Sequence, residues 1–388
     1  MSRAANDIDF LSHALVEQPS CRFKSYKSIR HNLDGMQDLP YGVIVRLCFN
    51  ILFRSLALRK ILSVDGGGIR GVFPAAFLAA IEDNLPHPIG SYFDLITGTS
   101  TGGIIAIGLA MGLSAKEILA LYEERGPEIF EQDKGAGRGL FRKARRNVQG
   151  AVLGPKYDPT ALRKALVDTL GDRRIGDAKT RLMIPAWHPQ TRRVYIFKTA
   201  HHARLETDYL SLAVDAALAT SAAPTYFPQH VTEDEVGLVD GGVWANNPTG
   251  YAVAEAIGTL EWPKDDIKVL SVSCLEDIFA VGDQYSKASI ALKATGFFMA
   301  GQSYGSMGLA HILTGDVGGA AKEKAIYRIC QAAPDGFFSL DNTKRIGQLK
   351  DRAFVEAREQ KPILKPVFFA EQAPPFTPVH QLKEKADA

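Results

Sequence analysis

Cysteine is scarce in this chain. Its 388 residues include only Cys21, Cys48, Cys274 and Cys330, widely separated and without a C-x-x-C pair. That spacing argues against a disulfide-stapled scaffold and a zinc knuckle, and it fits thiols kept reduced in a cytoplasm. An excess of one charge is lacking too: 45 Lys and Arg stand against 43 Asp and Glu, a formal charge of +2. No global field therefore draws the chain to polyanions, and a nucleic-acid polymer is not an expected partner. Long apolar runs are also missing. The most apolar early stretch, Tyr41 to Leu58, is interrupted by Arg46, Asn50 and Arg54. Neither a secretory signal nor a spanning helix is expected from it, so contact with a membrane would be peripheral.

What is present is the composition of a globular protein, 46% hydrophobic and 23% charged, enough to bury a large core. From Lys60 the chain becomes periodic. Ile61 to Val64 reads as a buried strand breaking into Asp65-Gly66-Gly67-Gly68, with a helix expected from Val72 to Asn84. The pattern repeats with a strand over Phe93 to Ile96, a sharp turn over Gly98 to Gly102, and a buried helix over Gly103 to Ala110. Successive strand-turn-helix units predict an α/β fold with a mostly parallel sheet covered on both faces. Ser114 to Glu117 is a capping box, and Asp158-Pro159 opens a further helix. More strands are expected at 182–186, 194–197, 236–239 and 267–273, and helices at 210–220 and 249–260. Residues 276–325 carry a mixed helical pattern.

Three segments can carry chemistry. Gly98-Thr99-Ser100-Thr101-Gly102 fits G-x-S-x-G, a turn that exposes a serine oxygen between a strand and a helix and needs small neighbours because the backbone passes close to itself. Gly66-Gly67-Gly68-Ile69-Arg70-Gly71 follows the first strand, and its N–H groups can converge on an oxyanion with Arg70 nearby. The same six residues satisfy G-x-G-x-x-G, the dinucleotide-binding pattern, but that pattern wants an acid at the end of the second strand. Asp94 lies at that strand's start instead. Asp240-Gly241-Gly242 ends an apolar run and places an acid where open α/β sheets build their sites. A serine needs a base. Downstream of Asp240 the histidines are His311 and His380, neither in a recognisable strand-end loop, so a direct Ser100–Asp240 dyad fits better.

Taken together, these segments resemble the patatin-like phospholipases in identity, order and spacing, with weaker likeness in Ser221-Ala222-Ala223-Pro224. The resemblance implies a three-layer sandwich with helices on both faces of the sheet. It implies that Ser100 attacks, that Asp240 relays the proton, and that Gly66, Gly67, Gly68, Arg70 and Gly71 form the oxyanion hole. Asp65, Thr101, Gly241 and Gly242 would act in support. The reaction would release acyl groups from membrane phospholipids, without a metal or cofactor. Ser271-Val272-Ser273-Cys274 departs from the Ser-Leu-Gly-Thr-like strand end of many members, which bears on the pocket wall and leaves the dyad intact.

On this reading, residues 1–58 are an N-terminal extension without an assigned role, 59–275 the catalytic core, and 276–388 a helical C-terminal part packed on it. Within the last, 276–327 is the candidate regulatory region. Residues 60–130 look like bacterial members of the family, some of which are anti-phage effectors switched on by a cyclic dinucleotide. Such an activator is therefore an expectation, with peripheral action from the cytoplasm and a homodimer as one candidate assembly. Alternatives are a nucleotide-sensing module and a hydrolase of other esters. Lys134, Arg138, Arg142, Lys143, Arg145 and Arg146, beside Leu140 and Phe141, read either as a patch for phospholipid headgroups or an anionic regulator, or as a solvated loop.

Overall fold

Alternation along the strands decides the architecture. The computed structural model describes residues 58–130, 155–278, 287–318, 324–334 and 337–383. The N-terminal extension, Cys21, Cys48 and the basic Lys134–Arg146 segment lie outside these. The regular elements are β1 (Arg59–Val64), α1 (Val72–Glu82), β2 (Leu95–Gly98), α2 (Thr101–Ala110), α3 (Ala115–Phe130) and α4 (Thr160–Leu170). Then come β3 (Arg181–His188), β4 (Arg193–Lys198), α5 (Ala213–Ser221), β5 (His230–Val231), β6 (Gly237–Asp240), α6 (Gly242–Ala245) and α7 (Thr249–Gly258). The last are β7 (Ile267–Val272), α8 (Lys287–Thr314), β8 (Ile326–Ile329) and α9 (Ile346–Phe368); a short parallel pair, Glu276–Ile278 with Ala332–Pro334, stands apart.

In β1 after Arg59, and throughout β2 and β7, every residue is buried, the mark of a strand covered on both faces. Their side chains divide by period two. Leu62, Val64, Ile96, Leu270 and Val272 pack with Phe73, Phe77, Ile105, Ala216 and Phe368, from helices α1, α2, α5 and α9. Ile61, Leu95, Ile267 and Val269 join Ala252, Val253 and Ala310, from α7 and α8, on the other face. Two apolar layers separated by one sheet make the three-layer sandwich. Truncating a core residue such as Leu62 to Ala costs about 2–5 kcal/mol.

The sheet order is β5-β6-β3-β2-β1-β7-β8, with β4 on the outer edge of β3. Around the centre, β3-β2-β1-β7-β8 run parallel, while β4 and β6 run antiparallel to β3, and β5 antiparallel to β6. One detail of β3 positions the site. β4 pairs with one edge of β3 from Met183 to His188. The other edge is shared: β2 runs up it until Thr97 faces Met183, and β6 comes down it until Asp240 faces Ala186. The ends of β2 and β6 therefore point at each other across about 10 Å of strand. Pro185, which has no N–H to offer a neighbour, occupies that gap.

Most expected elements stand where the pattern put them. Two are displaced. β2 begins at Leu95 because Asp94 is taken up by the Lys60 N–H (2.9 Å) and Arg59 (3.2 Å). The helix expected from Leu210 starts at Ala213, after a 3-10 turn over Asp208–Leu210. Among the described residues, no helix is long and apolar enough to cross a membrane.

Candidate active site

Ser100 sits at φ 57°, ψ −125°, a backbone conformation that L-residues avoid. Such strain is held by its surroundings. The turn closes so tightly that a Cβ on Gly98 would meet the Gly102 carbonyl oxygen, and one on Gly102 the Val64 carbonyl oxygen. The Ser100 N–H donates to Thr220 Oγ1 (3.0 Å), which itself donates to the Pro185 carbonyl (2.6 Å). Thr97 Oγ1 donates to Met183 O at 2.7 Å and Thr99 Oγ1 to Ala245 O at 2.6 Å. The turn that carries Ser100 is thus tied to β3 and to the segment after β6.

Asp240 arrives from the opposite direction. Its N–H donates to the Ala222 carbonyl (3.0 Å), so the expected Ser221-Ala222-Ala223-Pro224 segment sets its position. The side chain is 4% exposed. Burial pushes its pKa up to about 7, against hydrogen bonds from the Gly242 N–H (2.6 Å) and the Ser100 hydroxyl. Gly241 is needed where the chain turns: a Cβ there would strike the Pro185 carbonyl. Asp240 is thus an acid poised near neutrality, with the Ser100 hydroxyl among the groups that hold its pKa down.

The glycine loop is narrower in function than its sequence suggests. The Gly66 N–H donates to the Asn246 carbonyl (2.9 Å), and Asn246 Nδ2 donates back to the Gly66 carbonyl (3.4 Å). The Gly66 amide is thus committed to fixing the loop, and Gly66 is not among the residues lining the cavity. Arg70 is buried and, like Gly71, is not among the residues lining the cavity above Ser100; Gly71 packs against Thr101. Gly67 and Gly68 do line the cavity, as do Ser100, Thr101, Asp240 and Gly242. Gly68 has φ +56° and abuts the Leu340 carbonyl, which accepts from the Ile69 N–H at 2.8 Å. Thr101 opens α2, where first-turn N–H groups have no carbonyl one turn back.

Above the pair lies a cavity of about 380 Å³. Its walls are apolar: Ile104 of α2, Leu121 and Ile129 of α3, Leu162 of α4, Phe227, and Phe298 and Met299 of α8. A cavity that holds a serine and an acid among largely hydrocarbon walls suits an acyl chain, each buried CH₂ being worth about 0.8 kcal/mol.

Several residues of the site carry no sequence signal. Tyr122 donates to the Thr101 carbonyl (2.8 Å) and accepts from Thr101 Oγ1 (2.6 Å). Cys274 packs beneath Gly67 and donates its thiol hydrogen to the Asp65 carbonyl (3.0 Å). Asp65 itself is held by Arg328. The downstream histidines are elsewhere: His311 contacts the Asp316 carbonyl and His380 the Ala203 carbonyl, each at 2.8 Å, and neither lines the cavity.

A family model described as patatin-like phospholipase matches residues 62–253. A protein of Pseudomonas aeruginosa named cGAMP-activated phospholipase is 39% identical over 217 residues, 55% of this chain and 62% of that protein. One of the same name from Vibrio cholerae is 37% identical over 243 residues, 60% of this chain and 67% of that protein. Patatin-like protein 3 of Arabidopsis thaliana is 35% identical over 226 residues, 51% of this chain and 52% of that one. The chain thus spans a little under two thirds of the first relative's length.

Proposed function

The chain belongs to the patatin-like phospholipase family, and on that premise we propose that it is a serine acyl hydrolase of membrane phospholipids working through Ser100 and Asp240. The observation that carries the reading is a strained serine and a buried acid of raised pKa lining the same apolar cavity.

The chemistry follows from that geometry. With its pKa near 7, Asp240 is substantially ionised at neutral pH yet basic enough to take the Ser100 proton as the oxygen attacks an ester carbonyl. Negative charge gathers on the former carbonyl oxygen, where the N–H groups of Gly67, Gly68 and Thr101 can receive it. One such donor is worth about 3 kcal/mol in the transition state. Collapse expels the lysophospholipid alcohol, protonated by Asp240, and leaves the acyl group on Ser100. Water, deprotonated by Asp240, then releases the fatty acid. The cavity walls hold the acyl chain throughout.

We further propose that a cyclic dinucleotide activates the enzyme, as the names of the bacterial relatives state for them, and that it acts peripherally on a membrane from the cytoplasm in anti-phage defence. Region 276–327 is the candidate for regulation: α8 supplies Phe298 and Met299 to the cavity, and its Gln302 donates to the Val243 carbonyl (2.7 Å) beside Asp240. The test is fatty-acid release from phosphatidylglycerol and phosphatidylethanolamine vesicles by wild type and S100A, with and without a panel of cyclic dinucleotides. Release that depends on Ser100 and on one nucleotide is the expected result. Constitutive release would remove the activator, and no release under any condition would remove the phospholipid.

A further inference from the structure

Arg328 lies on β8, far outside the stretch matched by the family model. Its guanidinium, with 16% of the side chain exposed, grips Asp65 with both arms: Nη1 donates to Oδ1 at 2.9 Å and Nη2 to Oδ2 at 2.6 Å. Nη1 also donates to Ser271 Oγ (2.9 Å), while Nη2 reaches Glu276 and, on α8, Ser303, each at 3.4 Å. Asp65 is the root of the glycine loop. Its N–H donates to the Val272 carbonyl (3.0 Å) and its carbonyl accepts from the Cys274 thiol, so this one residue is held at both backbone polar groups and both carboxylate oxygens.

From this we infer that Arg328 is a positioning residue for the oxyanion loop, acting through Asp65 and linking that loop to Glu276 and α8. The inference rests on the hydrolase reading of the site. A bidentate guanidinium fixes a carboxylate in angle as well as distance, which an ammonium cannot do. Donors that receive charge only in the transition state must be held to within a fraction of an ångström, and a misplacement of about 1 Å can cost about 100-fold. The departure at Cys274 fits the same arrangement, since its thiol holds the Asp65 carbonyl while the neighbouring Ser271 accepts from Arg328.

The test uses the full chain and a soluble ester, p-nitrophenyl butyrate, with kcat normalised to Ser100 titrated by a fluorophosphonate so that unfolded protein is not counted. R328K and D65N should each lower kcat by about 10-fold or more with KM within about twofold, and the double variant should be no worse than either single, because the two act as a unit. The pH midpoint of kcat should stay in place. Wild-type kcat in R328K, losses that multiply in the double variant, or a displaced midpoint would each overturn the inference. Wild-type hydrolysis that survives S100A would instead sink the hydrolase reading and this inference with it.

Discussion

Asp240 and Glu255 are both buried carboxylates, 4% and 8% exposed, in segments flanking the same Asn246–Pro248 turn. Their environments push them in opposite directions. Asp240 accepts from neutral partners, the Gly242 N–H and the Ser100 hydroxyl, so burial dominates and lifts its pKa to about 7. Burial also works on Glu255, but hydrogen bonds from His201 (3.0 Å) and from Lys198 (2.7 Å), with the charge of the latter, hold it down to about 2. The lesson is that depth alone does not make an acid a base. A buried carboxylate with a cation is a strut; one facing a hydroxyl is held ready to take a proton.

The largest effect that could break this comparison is on activity. D240N, like S100A, should lower kcat on a soluble ester by about 10⁴-fold, whereas E255Q should leave it within about threefold; equal losses would erase the distinction. Stability should respond with opposite signs. E255Q removes the charge facing Lys198 and one of the two acceptors shared with His201, and should cost about 3–5 kcal/mol in urea unfolding at pH 7. The pKa of Asp240 is raised by folding, so its contribution is present below about pH 4 and lost as pH rises through 7. D240N should therefore gain stability at pH 8, by up to about 4 kcal/mol. Glu255 runs the other way: its contribution is present above about pH 4.5 and disappears as pH falls through 2. The smallest effect concerns the elbow. T220V removes the acceptor of the Ser100 N–H and should cost about 1–2 kcal/mol in kcat/KM.

What could be read from the sequence is what is local. The turns around Ser100 and Asp240 declare themselves because close backbone passage admits only small residues at Gly98, Gly102 and Gly241. The repeated strand-turn-helix unit from β1 to α2 gave the two-sided sheet. What could not be read is the partner each group finds across the chain. Gly66 has the same residue type as Gly67 and Gly68, yet its N–H goes to Asn246, 180 positions away. Arg328 meets Asp65 across 263 positions, and nothing in its own neighbourhood of sequence marks it. Likewise, the displacement of β2 by two residues follows from where Asp94 finds its partners, Arg59 and the Lys60 N–H.

The central claim, that Asp240 activates Ser100, is tested most directly by following covalent labelling with a fluorophosphonate from pH 5 to pH 9 and mapping the modified peptide. Label on Ser100, with a rate rising through a midpoint near pH 7 in wild type and abolished in D240N, is the predicted result. Label at another residue, or a Ser100 rate indifferent to D240N, would contradict it.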